Sequence, residues 1–166
     1  QRTVRAYGRA GAAAILIEDK ITPRALTAAG KPCLPRAEAR MKIRAAVDAK
    51  ANADILIMAR TDARAVHGFN EALERCKDFE AEGADIIFFE APENEDEMRR
   101  FCATMKKPCM ANMVPGGKTP VLPPAKLREV GYKLALYPVM LLSSAISAMQ
   151  ATLDALQPGS NKPQPP

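Results

Sequence analysis

Polar side chains stand directly after five short apolar segments of this sequence. They belong to Glu18-Asp19, Arg60-Thr61-Asp62, Glu90, Asn112 and Tyr137-Pro138. Short apolar runs that alternate with amphipathic stretches are typical of β/α units, whose parallel strands end on a common ligand-binding edge. The residue types and their spacing therefore predict an active site made of carboxylates, an arginine and an asparagine.

The pair Glu18-Asp19 supplies two carboxylates at the first of these positions. Adjacent residues of a strand point to opposite faces of a sheet, so only one of the two can face the site directly. We interpret Glu18 as a ligand of a hard cation such as Mg²⁺, either directly or through water. The alternative is a pair of loop carboxylates that cap a helix or form salt bridges.

Arg60 follows an apolar run. A buried charge without a partner is costly, so we expect Arg60 to pair with Glu18, Glu90 or Asp62. A guanidinium in this position also predicts bidentate binding of a substrate carboxylate. The two interpretations are compatible, and both give Arg60 a central place in the site.

Glu90 and Asn112 complete the predicted set. Glu90 is a candidate base or a residue that orients the arginine, and Asn112 could donate its amide to a carboxylate or an oxyanion. The next loop contains the sequence GGKT at 116–119, where Lys118 and Thr119 could reach an anion. This loop lacks the spacing of a nucleotide-binding P-loop, which argues against a nucleotide site.

Five strands position these residues. The apolar pattern predicts them at 13–17, 55–59, 85–89, 109–111 and 133–137, separated by helices that include 37–49, 70–82, 123–130 and a last helix that ends near 156. A further helix begins at Asn94, where Glu97 three residues later indicates a capping box.

The number of units decides the architecture. Five β/α units fit either an open parallel sheet or five-eighths of a closed barrel, which needs about 250 residues when complete. An open doubly wound sheet would usually carry a glycine-rich turn after its first strand, whereas this chain has EDK at 18–20. We therefore predict an α/β fold that forms about five of the eight units of a (β/α)8 TIM-type barrel.

The predicted domain spans 1–156 and includes a long lid loop at 19–36, which contains three prolines and little periodicity. Residues 157–166, QPGSNKPQPP, are expected to be disordered because they have almost no apolar surface to bury. The chain begins with Gln1 inside a helical pattern, from which we expect that upstream sequence is missing.

Composition narrows the classes of function. The chain has 166 residues, a net charge of +5 and only 5% aromatic residues, and its basic residues are scattered. We therefore expect no nucleic-acid partner, and the positive charge suits a small anionic substrate. The four cysteines lack metal-binding spacing, which indicates a reducing, cytoplasmic location. No apolar run is long enough for a membrane span, and none resembles a signal peptide.

Several segments of the chain form a recognisable set. They are GAAAILIEDK at 11–20, KIRAAVDA at 42–49, ARTDARA at 59–65, EALERCKDFEAEGADIIFFEAP at 71–92, ANMVPGGKTP at 111–120 and GYKLALYP at 131–138. Together they resemble the isocitrate lyase / phosphoenolpyruvate mutase superfamily, in particular its methylisocitrate lyase, dimethylmalate lyase and carboxyphosphonate mutase-like members. The resemblance implies a (β/α)8 barrel, a Mg²⁺ (or Mn²⁺) ion and a 2-oxo or 2-hydroxy acid. It also implies a homo-oligomer, a dimer or tetramer, whose last helix is often exchanged between subunits.

By position, the resemblance makes Glu18 the glutamate of the metal shell and Arg60 the arginine that contacts substrate. Glu90 and Asn112 match the site glutamate and asparagine. Thr119, which could reach an anion, is our further candidate for substrate binding. The strand end DADTGYG, whose aspartates hold the metal in the family, is absent from this chain. The metal site is therefore expected to be incomplete within these residues.

The lid also departs from the family. The lyases carry KKCGH or KRCGH there, with a cysteine as the proposed general acid, whereas residues 23–31 of this chain contain neither Cys nor His. Arg24, Thr27 and Lys31 are the lid candidates, and Thr27, a water or Cys33 would have to replace the acid. The helix after YP lacks an early arginine, which makes a tricarboxylate substrate a poor fit.

These observations predict a Mg²⁺-dependent lyase that cleaves a C–C bond of a small 2-hydroxy or 2-oxo dicarboxylate through an enolate. Cleavage of a substituted malate and decarboxylation of oxaloacetate share that intermediate, and the altered lid favours a decarboxylase or an atypical lyase. One alternative is a P–C bond enzyme, a phosphonopyruvate or carboxyphosphonate mutase or hydrolase. Another is an inactive truncated fragment.

Overall fold

The computed structural model describes residues 1–22, 32–51 and 53–157. The elements alternate along the chain as α1 (Arg2–Arg9), β1 (Ala14–Glu18), α2 (Arg36–Lys50), β2 (Leu56–Thr61), α3 (Arg64–Ala81), β3 (Ile86–Phe89), α4 (Glu95–Thr104), β4 (Cys109–Asn112), α5 (Pro124–Val130), β5 (Leu134–Leu136) and α6 (Met140–Ala155). The predicted α/β class is confirmed.

The five strands form one parallel sheet in the order β1-β2-β3-β4-β5. Because crossovers between parallel strands are right-handed, a chain that always steps in the same direction places its helices on one face of the sheet. A doubly wound sheet reverses direction and is covered by helices on both faces. The observed order is therefore that of a barrel wall.

The two faces of the sheet differ in what covers them. Ala59, Ile87 and Phe89 are buried in the main core, and Ile57 is buried in a second cluster with residues of α1 and α2. The alternate residues form the inner face, which we define as Leu16, Glu18, Leu56, Met58, Arg60, Ile86, Phe88, Glu90, Met110, Asn112, Leu134 and Leu136. Four of its leucines are 39–45% exposed, while Ile86, Phe88 and Met110 form a small buried cluster with Met58 beside them.

The register sets the polar residues of the inner face side by side. Glu18 lies opposite Arg60, and Arg60 lies opposite Phe88. Parallel strands carry their side chains in step, so residues at equal depth in neighbouring strands share an edge. The inner face thus has an apolar floor and a polar carboxyl-terminal edge.

A capping box has two hydrogen bonds, and only one of them forms at Asn94. The Asn94 side chain accepts a hydrogen bond from the Glu97 N–H at 2.9 Å. The Glu97 carboxylate accepts instead from the Glu93 N–H at 2.9 Å and binds the Arg64 guanidinium. The reciprocal bond of a full capping box is therefore replaced by a link to α3.

Helix α3 differs from its predicted range of 70–82. It begins at Arg64 and continues to Ala81, and Gly68 interrupts it with φ 84°. The left-handed conformation at Gly68 separates a short first turn from the amphipathic segment that the sequence pattern predicts. The first turn has no apolar periodicity of its own, which is why the pattern missed it.

Helix α6 has no buried residue, although its composition is apolar. Leu141 is 86% exposed, and Leu142 and Leu153 are about 60% exposed. Such a contiguous apolar surface is typical of an interface. Within the described ranges, no helix is both long and apolar enough to cross a membrane.

The ends of the loop at 19–36 are held together. Lys20 and Cys33 form an antiparallel bridge, and the Ile21 N–H donates to the Pro32 carbonyl at 3.0 Å. The lid candidates Arg24, Thr27 and Lys31 lie outside the described residues. The same is true of residues 158–166, so the predicted disordered tail stays a prediction.

Candidate active site

Arg60 is the centre of the polar edge. Its Nε and Nη2 donate to the two carboxylate oxygens of Asp62, each at 2.8 Å. The guanidinium also lies 3.4 Å from Glu90 and 3.6 Å from Glu18. The expectation that Arg60 pairs with these acids is confirmed for all three of them.

The environment keeps Arg60 charged. Burial alone would lower the pKa of its guanidinium, but the hydrogen bonds to Asp62 and the charges of Asp62, Glu90 and Glu18 outweigh burial and raise this pKa above its ordinary value. The ring of Phe88 lies beneath the guanidinium, 4.8 Å from its carbon, and holds it by a cation–π contact.

One nitrogen of Arg60 is left over. The hydrogen bonds of the guanidinium run from Nε and Nη2, and Nη1 makes none to any residue in the part of the chain that the structure describes. Asp62 therefore orients Arg60 without using its whole binding capacity.

Glu90 and Asn112 lie together beside a cavity. The Asn112 amide donates to Glu90 at 3.2 Å. The cavity has a volume of about 380 Å³ and is lined by Asp62, Ala65, Glu90, Ala91, Asn112, Val114, Gly117, Lys118 and Thr119. This volume is at the small end of the range for ligand pockets. The structure thus brings Thr119 and Lys118 next to Glu90 and Asn112.

Glu18 points to the inner face but has cationic neighbours. The Lys20 ammonium is 3.3 Å from the Glu18 carboxylate, and Arg60 is next to it. Within the described ranges, no group of three or more His, Cys, Asp or Glu side chains could hold a metal ion. Glu18 can offer one oxygen ligand to Mg²⁺, but these residues do not complete a ligand set.

Asp19 faces the other way, as expected for the neighbour of Glu18. It is 1% exposed, and its carboxylate accepts hydrogen bonds from the Thr61 hydroxyl at 2.7 Å and from the Asp62 N–H at 2.9 Å. It also pairs with Arg75 at 3.1 Å. Asp19 therefore holds the end of β2 in place from the helix side of the sheet.

Sequence reasoning singled out neither Asp62 as the main partner of Arg60 nor Arg75 as a partner of Asp19. The pairing of Asp62 with Arg60 could have been predicted, because residues two apart on a strand point to the same face. The burial of Arg75 is harder to predict. Its only indication is its position beside Cys76 and one turn after Ala72, which both lie on the buried side of α3.

Cys33, a possible replacement for the lid acid, lies at the base of the loop. Burial, followed by the charge of Asp19, raises the pKa of its thiol to about 12. The thiol is therefore protonated and neutral at neutral pH.

Comparison with known proteins places this geometry in a family. The family model for phosphoenolpyruvate phosphomutase matches residues 1–157. The 2,3-dimethylmalate lyase of Eubacterium barkeri is 45% identical over 157 residues, which are 94% of this chain and 54% of that protein. The 2-methylisocitrate lyase of Aeropyrum pernix is 42% identical over 98% of this chain and 53% of its own length.

A solved structure, oxaloacetate acetylhydrolase in complex with the inhibitor 3,3-difluorooxalacetate, superposes with a TM-score of 0.87 at 29% identity. The match covers 99% of this chain and 57% of that one. The chain thus spans about half the length of the relatives it matches, and its fold is the predicted part of a (β/α)8 barrel. The match of the family model over residues 1–157 shows that this chain belongs to the isocitrate lyase / phosphoenolpyruvate mutase superfamily.

Proposed function

We propose that this chain carries part of the active site of a lyase that cleaves a C–C bond in a small 2-hydroxy or 2-oxo dicarboxylate through an enolate. The observation that carries the proposal is the arrangement around Arg60. Asp62 holds this arginine in a fixed orientation through Nε and Nη2, and both Asp62 and Glu90, which contact Arg60, line a cavity of about 380 Å³.

Each residue has a role in the proposal. Arg60 binds a substrate carboxylate through its remaining donor. Glu90 either accepts a proton from substrate or orients Arg60, and its contact with Asn112 fixes it in place. Asn112 donates its amide to the substrate or to the developing oxyanion. Thr119 contributes a hydroxyl from the other wall of the cavity.

Glu18 supplies a candidate oxygen ligand for a cation. Its carboxylate lies at the polar edge beside Arg60 and Lys20. Mg²⁺ prefers oxygen ligands such as this carboxylate. We propose Mg²⁺, or Mn²⁺, with Glu18 as one oxygen ligand. The chemistry that such an ion supplies when bound is charge neutralisation at an enolate oxygen.

The small size of the cavity and the names of the relatives support our choice of substrate class. Relatives of this chain bear the names 2,3-dimethylmalate lyase and 2-methylisocitrate lyase. Substituted malates and oxaloacetate are our first candidates, since both lead to the same enolate chemistry. A P–C bond reaction is the second candidate, because the family model that matches is that of a phosphomutase.

We also propose that the protein is a homo-oligomer held by α6. The helix exposes Leu141, Leu142, Ile146, Met149 and Leu153 along its length. A second copy of the chain would cover this surface. Changing Leu142 and Met149 to Glu is expected to lower the molar mass measured by light scattering, whereas an unchanged mass would argue against α6 as the interface.

The test is turnover by the protein expressed from its complete gene, with Mg²⁺ and a panel of oxaloacetate, substituted malates, methylisocitrate and phosphonopyruvate. Arg60→Ala is expected to abolish turnover. Arg99→Ala is the matched control, because Arg99 pairs with Glu95 and Glu129 on the surface. Turnover that survives in Arg60→Ala would contradict the proposed role of Arg60. No turnover of any compound would favour the inactive alternative.

A further inference from the structure

A buried arginine of α3 has no place in the proposed chemistry. Arg75 is 3% exposed and does not line the cavity. Its Nη1 donates to Asp19 at 3.1 Å and to the Leu34 carbonyl at 2.8 Å, and its Nε donates to Glu71 at 2.9 Å. Arginine is seldom so deeply buried unless it is paired, and here three acceptors fix its position.

The hydrogen bond from Arg75 to Asp19 connects Arg75 to the site. Asp19, which Arg75 holds, accepts the N–H of Asp62 at 2.9 Å. The Asp62 side chain then binds Arg60 through two hydrogen bonds of 2.8 Å. A continuous series of charge-assisted hydrogen bonds therefore joins Arg75 on the helix side of the sheet to Arg60 on the inner face.

The hydrogen bond from Arg75 to the Leu34 carbonyl connects Arg75 to the base of the loop at 19–36. The Leu34 N–H donates to the Asp19 carbonyl at 2.8 Å, while the Leu34 carbonyl accepts from Arg75. Leu34 lies just before α2, where the loop returns to the body of the protein. The base of the loop and the site arginine thus depend on the same guanidinium.

We propose that Arg75 is a positioning residue, which sets the orientation of Arg60 through Asp19 and Asp62 and fixes the base of the loop at Leu34. The proposal rests on the function proposed above. The planar fork of arginine reaches acceptors in different directions, whereas lysine supplies only a point charge. Arg75→Lys should therefore restore the charge beside Asp19 without restoring the full set of bonds.

The experiment compares Arg75→Met, Arg75→Lys and a control, Arg40→Met, in the protein expressed from its complete gene. Arg40 binds Glu82 at the surface between α2 and α3 and is remote from the site. At a temperature where all variants are folded, kcat/KM is expected to fall by roughly 10- to 100-fold in Arg75→Met, because small misplacements of site groups have effects of this size. Arg75→Lys should recover part of the loss, and Arg40→Met should stay within about twofold of the parent protein.

Hydrogen exchange gives a readout that does not need a substrate. The amides of Asp62 and Leu34 donate to Asp19, so both should exchange faster in Arg75→Met and less so in Arg75→Lys, while α4 should be unchanged. If Arg75→Met does not fold, Arg75→Lys is compared with the parent protein in the same two measurements, kcat/KM and amide exchange at Asp62 and Leu34. A lower melting temperature with unchanged kcat/KM and unchanged exchange at these two amides would overturn the proposal.

The two proposals fail in different ways. No turnover by the parent protein would remove the proposed function, and exchange at Asp62 and Leu34 would still decide whether Arg75 positions them. Normal turnover by the parent protein and by Arg75→Met would remove the positioning role alone.

Discussion

Replacement of Asp62 by asparagine is the sharpest perturbation of the site. The Asp62 side chain is fully buried and accepts both hydrogen bonds that orient Arg60. Asparagine has the same shape but presents one oxygen and one NH₂ group. The asparagine oxygen can still accept a hydrogen bond from one Arg60 nitrogen. The NH₂ group would face the other Arg60 nitrogen, which is also a donor, so one charge-assisted hydrogen bond is lost.

The size of the effect follows from that one bond. A hydrogen bond to a charged group contributes about 1.5–3 kcal/mol, and a loss of about 2 kcal/mol in the oriented state corresponds to a factor of roughly 30 in rate. Glu18 and Glu90 remain within 3.6 Å of the guanidinium, so Arg60 stays charged but turns towards them. We therefore expect kcat/KM to fall by about 30-fold in Asp62→Asn.

The assay is steady-state turnover of the best substrate from the panel, with the melting temperature measured in parallel. Glu93→Gln is the matched control, because it also converts a carboxylate to an amide, but Glu93 pairs with Arg64 and not with Arg60. The control is expected to change kcat/KM by less than about threefold, since surface pairs contribute little. An Asp62→Asn enzyme with unchanged kcat/KM would refute the claim that Asp62 orients Arg60.

Three further predictions concern stability and reactivity. Asn94→Ala removes the cap of α4 and should lower the free energy of unfolding by about 1 kcal/mol, measured by denaturant titration; no change would mean that the Asn94 bond is not formed. Gly131→Ala should cost about 2–4 kcal/mol in the same assay, since Gly131 has φ 120° and an added Cβ would lie 2.9 Å from the Cys102 Cβ; a smaller cost than that of Asn94→Ala would contradict this packing. Alkylation of Cys33 should be slow at pH 8 and accelerate up to about pH 12, because burial and then Asp19 raise the pKa of the thiol to about 12; a rate that levels off near pH 9 in the folded protein would show an ordinary thiol.

The sequence was sufficient to predict the strands and the edge of the sheet where the candidate site residues lie. Each predicted strand lies within about two residues of an observed one, because apolar runs bounded by polar residues mark buried parallel strands. Because parallel strands end on one edge of the sheet, the predicted strands were enough to predict that Glu18, Arg60 and Glu90 lie close together. The pairing of Arg60 followed from the energetic cost of burying a charge.

Other parts depend on packing that a linear pattern does not contain. Strand alternation places Asp62 on the same face as Arg60, but the hydrogen bond from the Asp62 N–H to Asp19 joins residues 43 positions apart and has no signal in the sequence. The turn before Gly68 has no periodicity. The link from Arg75 to Leu34 joins residues 41 positions apart, and neither residue carries a local signal for it.

The central claim is that Arg60 binds the carboxylate of a 2-oxo or 2-hydroxy acid at the edge of the inner face. It is tested most directly by a crystal structure of the protein, expressed from its complete gene, with Mg²⁺ and 3,3-difluorooxalacetate, the inhibitor bound in the similar oxaloacetate acetylhydrolase. We expect a ligand carboxylate within hydrogen-bonding distance of Arg60 Nη1, with the two bonds to Asp62 retained. A ligand bound away from Arg60, or an Arg60 that leaves Asp62 to pair elsewhere, would contradict it.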